Sequence, residues 1–76
     1  MAGAEAEVAR GMCATGDFRA LRLARSGTLW EVARRVGVSA ATVSRYERGL
    51  QVPPDDKALA LLQVAREMAA EAVSRW

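Results

Sequence analysis

Apolar residues recur at helical spacing in several short stretches of this chain, and glycine or proline separates the stretches. Phe18 and Leu21 lie one turn apart behind Asp17, which suits the N-cap of a helix running to about Arg25. Ser26-Gly27 ends that helix, with Gly27 free to take a left-handed conformation. Thr28-Leu29-Trp30-Glu31 reads as a capping box. Leu29, Val32, Ala33 and Val36 then trace one buried face, with Arg34 and Arg35 on the other side. Gly37 stops this second helix, and Ser39 caps a third that runs to about Arg48 with Val43 and Tyr46 inward. Two prolines, Pro53 and Pro54, forbid helix before them and open a long last helix, residues 55–74. Its apolar residues form two adjacent stripes, Leu59, Leu62, Ala65 and Met68 beside Leu61, Val64, Met68, Ala72 and Trp76. That face is wider than one core contact needs.

Residues 1–16 read differently. They hold Gly3, Gly11 and Gly16 among many alanines, and a helix of that length is marginal alone in water. A flexible N-terminal arm or a weakly docked helix is expected over 1–16, with one domain over 17–76.

Charge sharpens the picture. The net charge is +2, but residues 18–52 carry Arg19, Arg22, Arg25, Arg34, Arg35, Arg45 and Arg48 against only Glu31 and Glu47. A basic middle between acidic ends fits a polyanion partner, although a solvated face of mixed charge gives the same count.

Composition removes other functions. The chain has no His and a single Cys13, so the commonest general base, a disulfide framework and multi-cysteine metal sites are all excluded. No nucleophile stands beside a base and no glycine-rich loop could cradle phosphate. An enzyme is not expected, nor a metal or cofactor. No apolar run approaches the roughly 20 residues of a membrane span, and no stretch reads as a signal peptide, so a cytoplasmic location is expected.

The most informative stretch is Thr28 to Gly49, TLWEVARRVGVSAATVSRYERG. Ala33 lets two helices approach, Gly37 supplies a positive φ for the turn, and Val38 and Val43 fill the angle between the helices. A small residue, a glycine four on and a β-branched residue six beyond that is a demanding pattern, and it points to a helix-turn-helix.

The segment from Phe18 to about Met68 resembles the Cro/CI (XRE-type) helix-turn-helix domains of phage repressors and bacterial transcriptional regulators. The likeness rests on Arg22, Glu31-Val32-Ala33, Gly37-Val38-Ser39 and the ending Val43-Ser44-Arg45-Tyr46-Glu47-Arg48-Gly49, followed by a proline-containing link to a leucine-rich helix. The resemblance implies an all-α fold, a small four- to five-helix bundle of the lambda-repressor-like DNA-binding type. It implies a sequence-specific regulator of double-stranded DNA, a repressor with its third helix, Ser39–Arg48, in the major groove. By position Ser39, Ala40, Ala41, Ser44 and Arg45 would face base edges. Arg45 has the fork that pairs with guanine O6 and N7, and the alanines suit thymine methyls. Thr28, Arg34, Arg35, Thr42 and Arg48 are implied phosphate contacts, with Arg19 and Arg25 extending the surface. Arg22 and Glu47 are implied to form a structural ion pair.

The chain departs from the family pattern at Leu29, where a polar phosphate contact is common, at the two alanines opening the third helix, and in fusing the last two helices. Homodimerisation through the broad C-terminal face is expected. A different function stays open beside DNA binding: a protein-binding adaptor that docks its apolar C-terminal helix on another protein. Trp30 is expected to cover the core edge, and Cys13 to be an incidental thiol.

Overall fold

The computed structural model describes residues 2–25 and 27–74, without the side chains of residues 2 and 72–74; Ser26 and Trp76, named above, lie outside the described residues, as does the side chain of Ala72. Five helices follow in order: α1 (Ala2–Thr15), α2 (Asp17–Ala24), α3 (Leu29–Val36), α4 (Ala40–Glu47) and α5 (Asp55–Ser74). There is no strand among the described residues, and no helix is long and apolar enough to cross a membrane.

Each helix end has a local cause. Gly16 at φ +85° breaks α1 from α2, and no side chain caps α2 there. The expected cap, Asp17, is instead the first helical residue, where its charge favours the helix dipole. Thr28 and Ser39 cap α3 and α4 as the sequence predicts: the Thr28 hydroxyl accepts from the Glu31 amide and the Ser39 hydroxyl from the Thr42 amide, each at 3.1 Å. Gly27 does not take the left-handed conformation expected of it, since positive φ occurs at Gly16, Gly37 and Gly49. It is buried, and a Cβ there would stand 3.4 Å from Arg22 Cγ. The atom nearest to that position is Arg25 Nη1, at 3.3 Å, the far end of a flexible side chain. α5 runs unbroken for 20 residues, about 30 Å at 1.5 Å each.

The main core gathers Phe18, Val32, Ala33, Val36, Val43, Tyr46, Leu61, Val64, Ala65 and Met68, with Cys13 at its edge. A second cluster, Ala6, Ala9, Ala58 and Leu62, lies between α1 and α5, and Met12 joins the two. α1 docks along α5 with Ala6, Ala9 and Cys13 buried at helical spacing. Small side chains let the two helices approach closely, so an alanine stripe that carries little hydrophobic signal becomes a packed seam. Ion pairs from Arg10 to Asp55 and from Arg66 to Glu5 flank it. The wide apolar face of α5, for which a second chain was expected, is covered in large part by α1 of the same chain.

Candidate nucleic-acid interface

The turn between α3 and α4 is built on one carbonyl. Gly37 takes φ +85°, which lets both its own amide and that of Val38 donate to the Ala33 oxygen, at 2.8 and 3.1 Å. Ala33 is buried and leaves room for this close return. Val38 packs on the core from the turn, and Val43 is fully buried beneath it. Lys57 of α5 brings its ammonium to within 3.6 Å of where a Gly37 Cβ would be, a cation at the C-terminal end of α3.

α4 buries Val43, Tyr46 and Glu47 and turns its opposite side outward. Ala41, Arg45 and Arg48 are exposed there, Ser39 is exposed at the cap, and Thr42 and Ser44 flank them half-buried. Ala40, expected to face base edges, packs partly against the core. About 100° per residue separates it from Ala41, and that step carries its methyl toward the buried side of α4 that Val43 marks. A polar row runs along the outward side. Ser39 Oγ and Thr42 Oγ1 are 2.9 Å apart, Arg45 Nη2 donates to Thr42 Oγ1 at 3.1 Å, and Arg45 Nε donates to Gln51 Oε1 at 3.0 Å. Gln51 was not singled out in the sequence, because nothing in the pattern of the connector marks which way its side chain points.

The arginines divide into two sets. Arg22 pairs with Glu47, Arg25 with both Glu31 and Glu71, and Arg35 with Glu67. Arg19, Arg34, Arg45 and Arg48 face no carboxylate within ion-pair distance among the described residues. Two of these four lie on the outward side of α4 and Arg34 borders the turn into it. The positive surplus of residues 18–52 is therefore concentrated around the helix-turn-helix rather than spread over the bundle. Arg35, named from sequence among the phosphate contacts, is tied to α5. On the α3 wheel Glu31 and Arg35 share the side facing α2 and α5, whereas Trp30 and Arg34 share the other. The Arg25 guanidinium holds the Glu31 carboxyl below the usual carboxylate range, helped by the Thr28 amide.

Arg22 and Glu47 meet in two parallel hydrogen bonds, Nε to Oε2 at 2.7 Å and Nη2 to Oε1 at 2.9 Å. Arg22 Nη1 also donates to the Gly27 carbonyl at 3.1 Å. Both side chains are more than nine-tenths buried. The fork ties α2 to the end of α4 and fixes the angle at which α4 is presented. Close by, burial, and then the Glu47 charge, pushes the Cys13 thiol up to about 11, so it stays protonated and unreactive at neutral pH.

Trp30 does not cover the core. It is 76 % exposed, the most exposed large apolar side chain described. The inward face of α3 is filled by Leu29, Val32, Ala33 and Val36, and one further 100° step carries Trp30 outside. With Thr28, Glu31, Ala33, Arg34 and Val38 it lines an open groove of about 470 Å³ beside the turn.

A family model described as a helix-turn-helix domain matches residues 16–74, which includes every residue discussed on α2 to α5. No curated protein and no solved structure matches the chain.

Proposed function

Because the chain belongs to the helix-turn-helix family of XRE-like DNA-binding domains, we propose that it is a sequence-specific transcriptional regulator, a repressor of the Cro/CI kind that sets α4 in the major groove of double-stranded DNA. The observation that carries this reading is the outward side of α4, where Arg45 and Arg48 have no carboxylate partner among the described residues and Arg34 borders the turn. In this reading Arg45 pairs with a guanine edge, Ala41 lies against a thymine methyl, and Ser39 and Ser44 flank them. Ala40 contributes only the part of its methyl that the core leaves free. Thr28, Arg34, Thr42 and Arg48 contact phosphates and set the register. Arg35 leaves that set because Glu67 occupies it. The family is typically non-enzymatic.

Two-fold pairing belongs to the same proposal, since a dimer doubles the contact and reads two half-sites about 34 Å apart. With α1 over much of the apolar face, the surface of α5 left for a second copy is its outer end, where Ala69 and Ala70 are exposed. Light scattering of the intact chain on and off DNA decides this; a monomer in both states removes the dimer.

The test of DNA reading is selection of bound duplexes from a random pool, followed by titration of the selected duplex at increasing salt. A shared sequence and an affinity that falls steeply with salt are expected. A second reading, a protein-binding adaptor, draws on exposed Trp30 and its groove. No duplex binding even at low salt would favour it over the regulator.

A further inference from the structure

We infer that Gln51, in the connector after α4, is a positioning residue that decides which edge of the Arg45 guanidinium is offered to a base. This rests on the reading of α4 as the base-reading helix. A guanidinium carries five N–H donors in one plane: one on Nε, two on Nη1 and two on Nη2. The structure occupies two of them. Nε donates to Gln51 Oε1 at 3.0 Å, and Nη2 donates once to Thr42 Oγ1 at 3.1 Å. Both Nη1 donors and one Nη2 donor remain. Gln51 takes the Nε donor of the side-on edge, Nε with Nη2, which leaves Nη1 and Nη2, the two nitrogens of the end-on fork, as the pair that each keep a free donor. Guanine presents two acceptors in the major groove, N7 and O6, which match that fork; adenine replaces O6 with a donating N6 amine and repels one arm of it.

The geometry of Gln51 is itself anchored on both sides. Before it, Gly49 at φ +71° turns the chain, and the Leu50 amide returns to the Arg45 carbonyl at 2.9 Å. After it, buried Pro53 is held by α1, whose Arg10 Nε donates to the Pro53 carbonyl at 3.0 Å. The connector, anchored on the end of α4 before Gln51 and on α1 after it, therefore brings Gln51 to the side of Arg45. At the other end, Ser39 Oγ lies 2.9 Å from Thr42 Oγ1 and keeps that second partner in line. An arginine on an exposed helix face otherwise samples many rotamers, and ordering it in advance lowers the entropy lost when it meets a base.

The experiment uses the full chain and the selected duplex, together with the same duplex carrying adenine, and then 7-deazaguanine, at the guanine Arg45 contacts. Affinities are measured for the unaltered chain, Arg45→Ala, Gln51→Ala and Gln51→Glu, with thermal melts alongside. Gln51→Ala should lower the guanine-to-adenine preference about fivefold, the scale of one hydrogen bond, while melting temperature, binding to random duplex and the salt slope stay unchanged. Gln51→Glu keeps the acceptor, so it should retain the preference while weakening every duplex alike. Replacing guanine N7 should cost the unaltered chain more than Gln51→Ala. A preference that Arg45→Ala abolishes but Gln51→Ala leaves intact overturns this inference alone, as does an equal loss on all duplexes from Gln51→Ala. No base preference in the unaltered chain overturns the base-reading conclusion and this inference with it.

Discussion

Replacing either member of the Arg22–Glu47 pair should cost far more than replacing both. The two groups share hydrogen bonds at 2.7 and 2.9 Å and are almost wholly out of water. In Glu47→Leu, the Arg22 guanidinium keeps only the Gly27 carbonyl as a partner. In Arg22→Met, the Glu47 carboxylate loses both donors and the Gly27 carbonyl loses one. Breaking a buried pair this way costs about 3–5 kcal/mol. The whole domain, at 0.05–0.15 kcal/mol per residue over 76 residues, has about 4–11 kcal/mol to lose. Each single variant therefore keeps at most about 8 kcal/mol and, at the low end of that range, is already unfolded. The double variant removes both charges, fills similar volume, and leaves the Gly27 carbonyl short of one bond, a loss of about 1–2 kcal/mol. Urea unfolding of the four chains, followed by circular dichroism at 222 nm, measures the cycle. The double variant should be more stable than either single, and where a single variant is unfolded the double should recover a cooperative transition. A single variant that loses less than about 1 kcal/mol would place the pair among exposed ion pairs. A double variant whose loss equals the sum of the two singles would equally refute the argument.

Arg34 and Arg35 are sequence neighbours with opposite commitments: Arg34→Ala should weaken DNA binding and reduce the salt slope by about one, whereas Arg35→Ala should leave the slope unchanged and alter only stability, as titrations at several salt concentrations will tell. Two glycines should respond with opposite sign on thermal melting. Gly11→Ala in α1, where an added Cβ meets nothing within 4 Å, should stabilise by about 0.5–1 kcal/mol, and Gly37→Ala, at φ +85°, should destabilise by about 1–2 kcal/mol. The Cys13 thiol ionises near 9.0 when free and near 11 when folded, so the folded chain holds that proton more tightly; stability should be level below pH 9 and fall between about 9 and about 11. Tyr46, also pushed up by burial, adds to the fall at its upper end, and Cys13→Ala should remove the part that begins at 9 in urea titrations across that range.

The helix-turn-helix was legible in the sequence because its constraints are local. A positive φ at Gly37, caps at Thr28 and Ser39 and a small residue at Ala33 are each decided within one turn of chain. So was the length of α5, which Pro54 opens and no later glycine or proline interrupts. The seam of α1 was not legible, since alanine is buried in one place and exposed in another with no change in its own character. Ala6 and Ala9 are inside only because Ala58 and Leu62 of a distant helix meet them. Trp30 went the same way: four other residues of α3 already filled the inward face, and the indole had no place left there.

What the chain determined by itself is the positions of the turns, the periodicity of α2 to α5 and the total of positive charge. Only the tertiary structure decided where that charge is left over. Ion pairing is a matter of distance in space, mostly between elements far apart in sequence, and it draws Arg22, Arg25 and Arg35 into contacts with Glu47, Glu31, Glu71 and Glu67. Arg34, Arg45 and Arg48 remain around the turn and on the outer side of α4, where composition could count them but not place them.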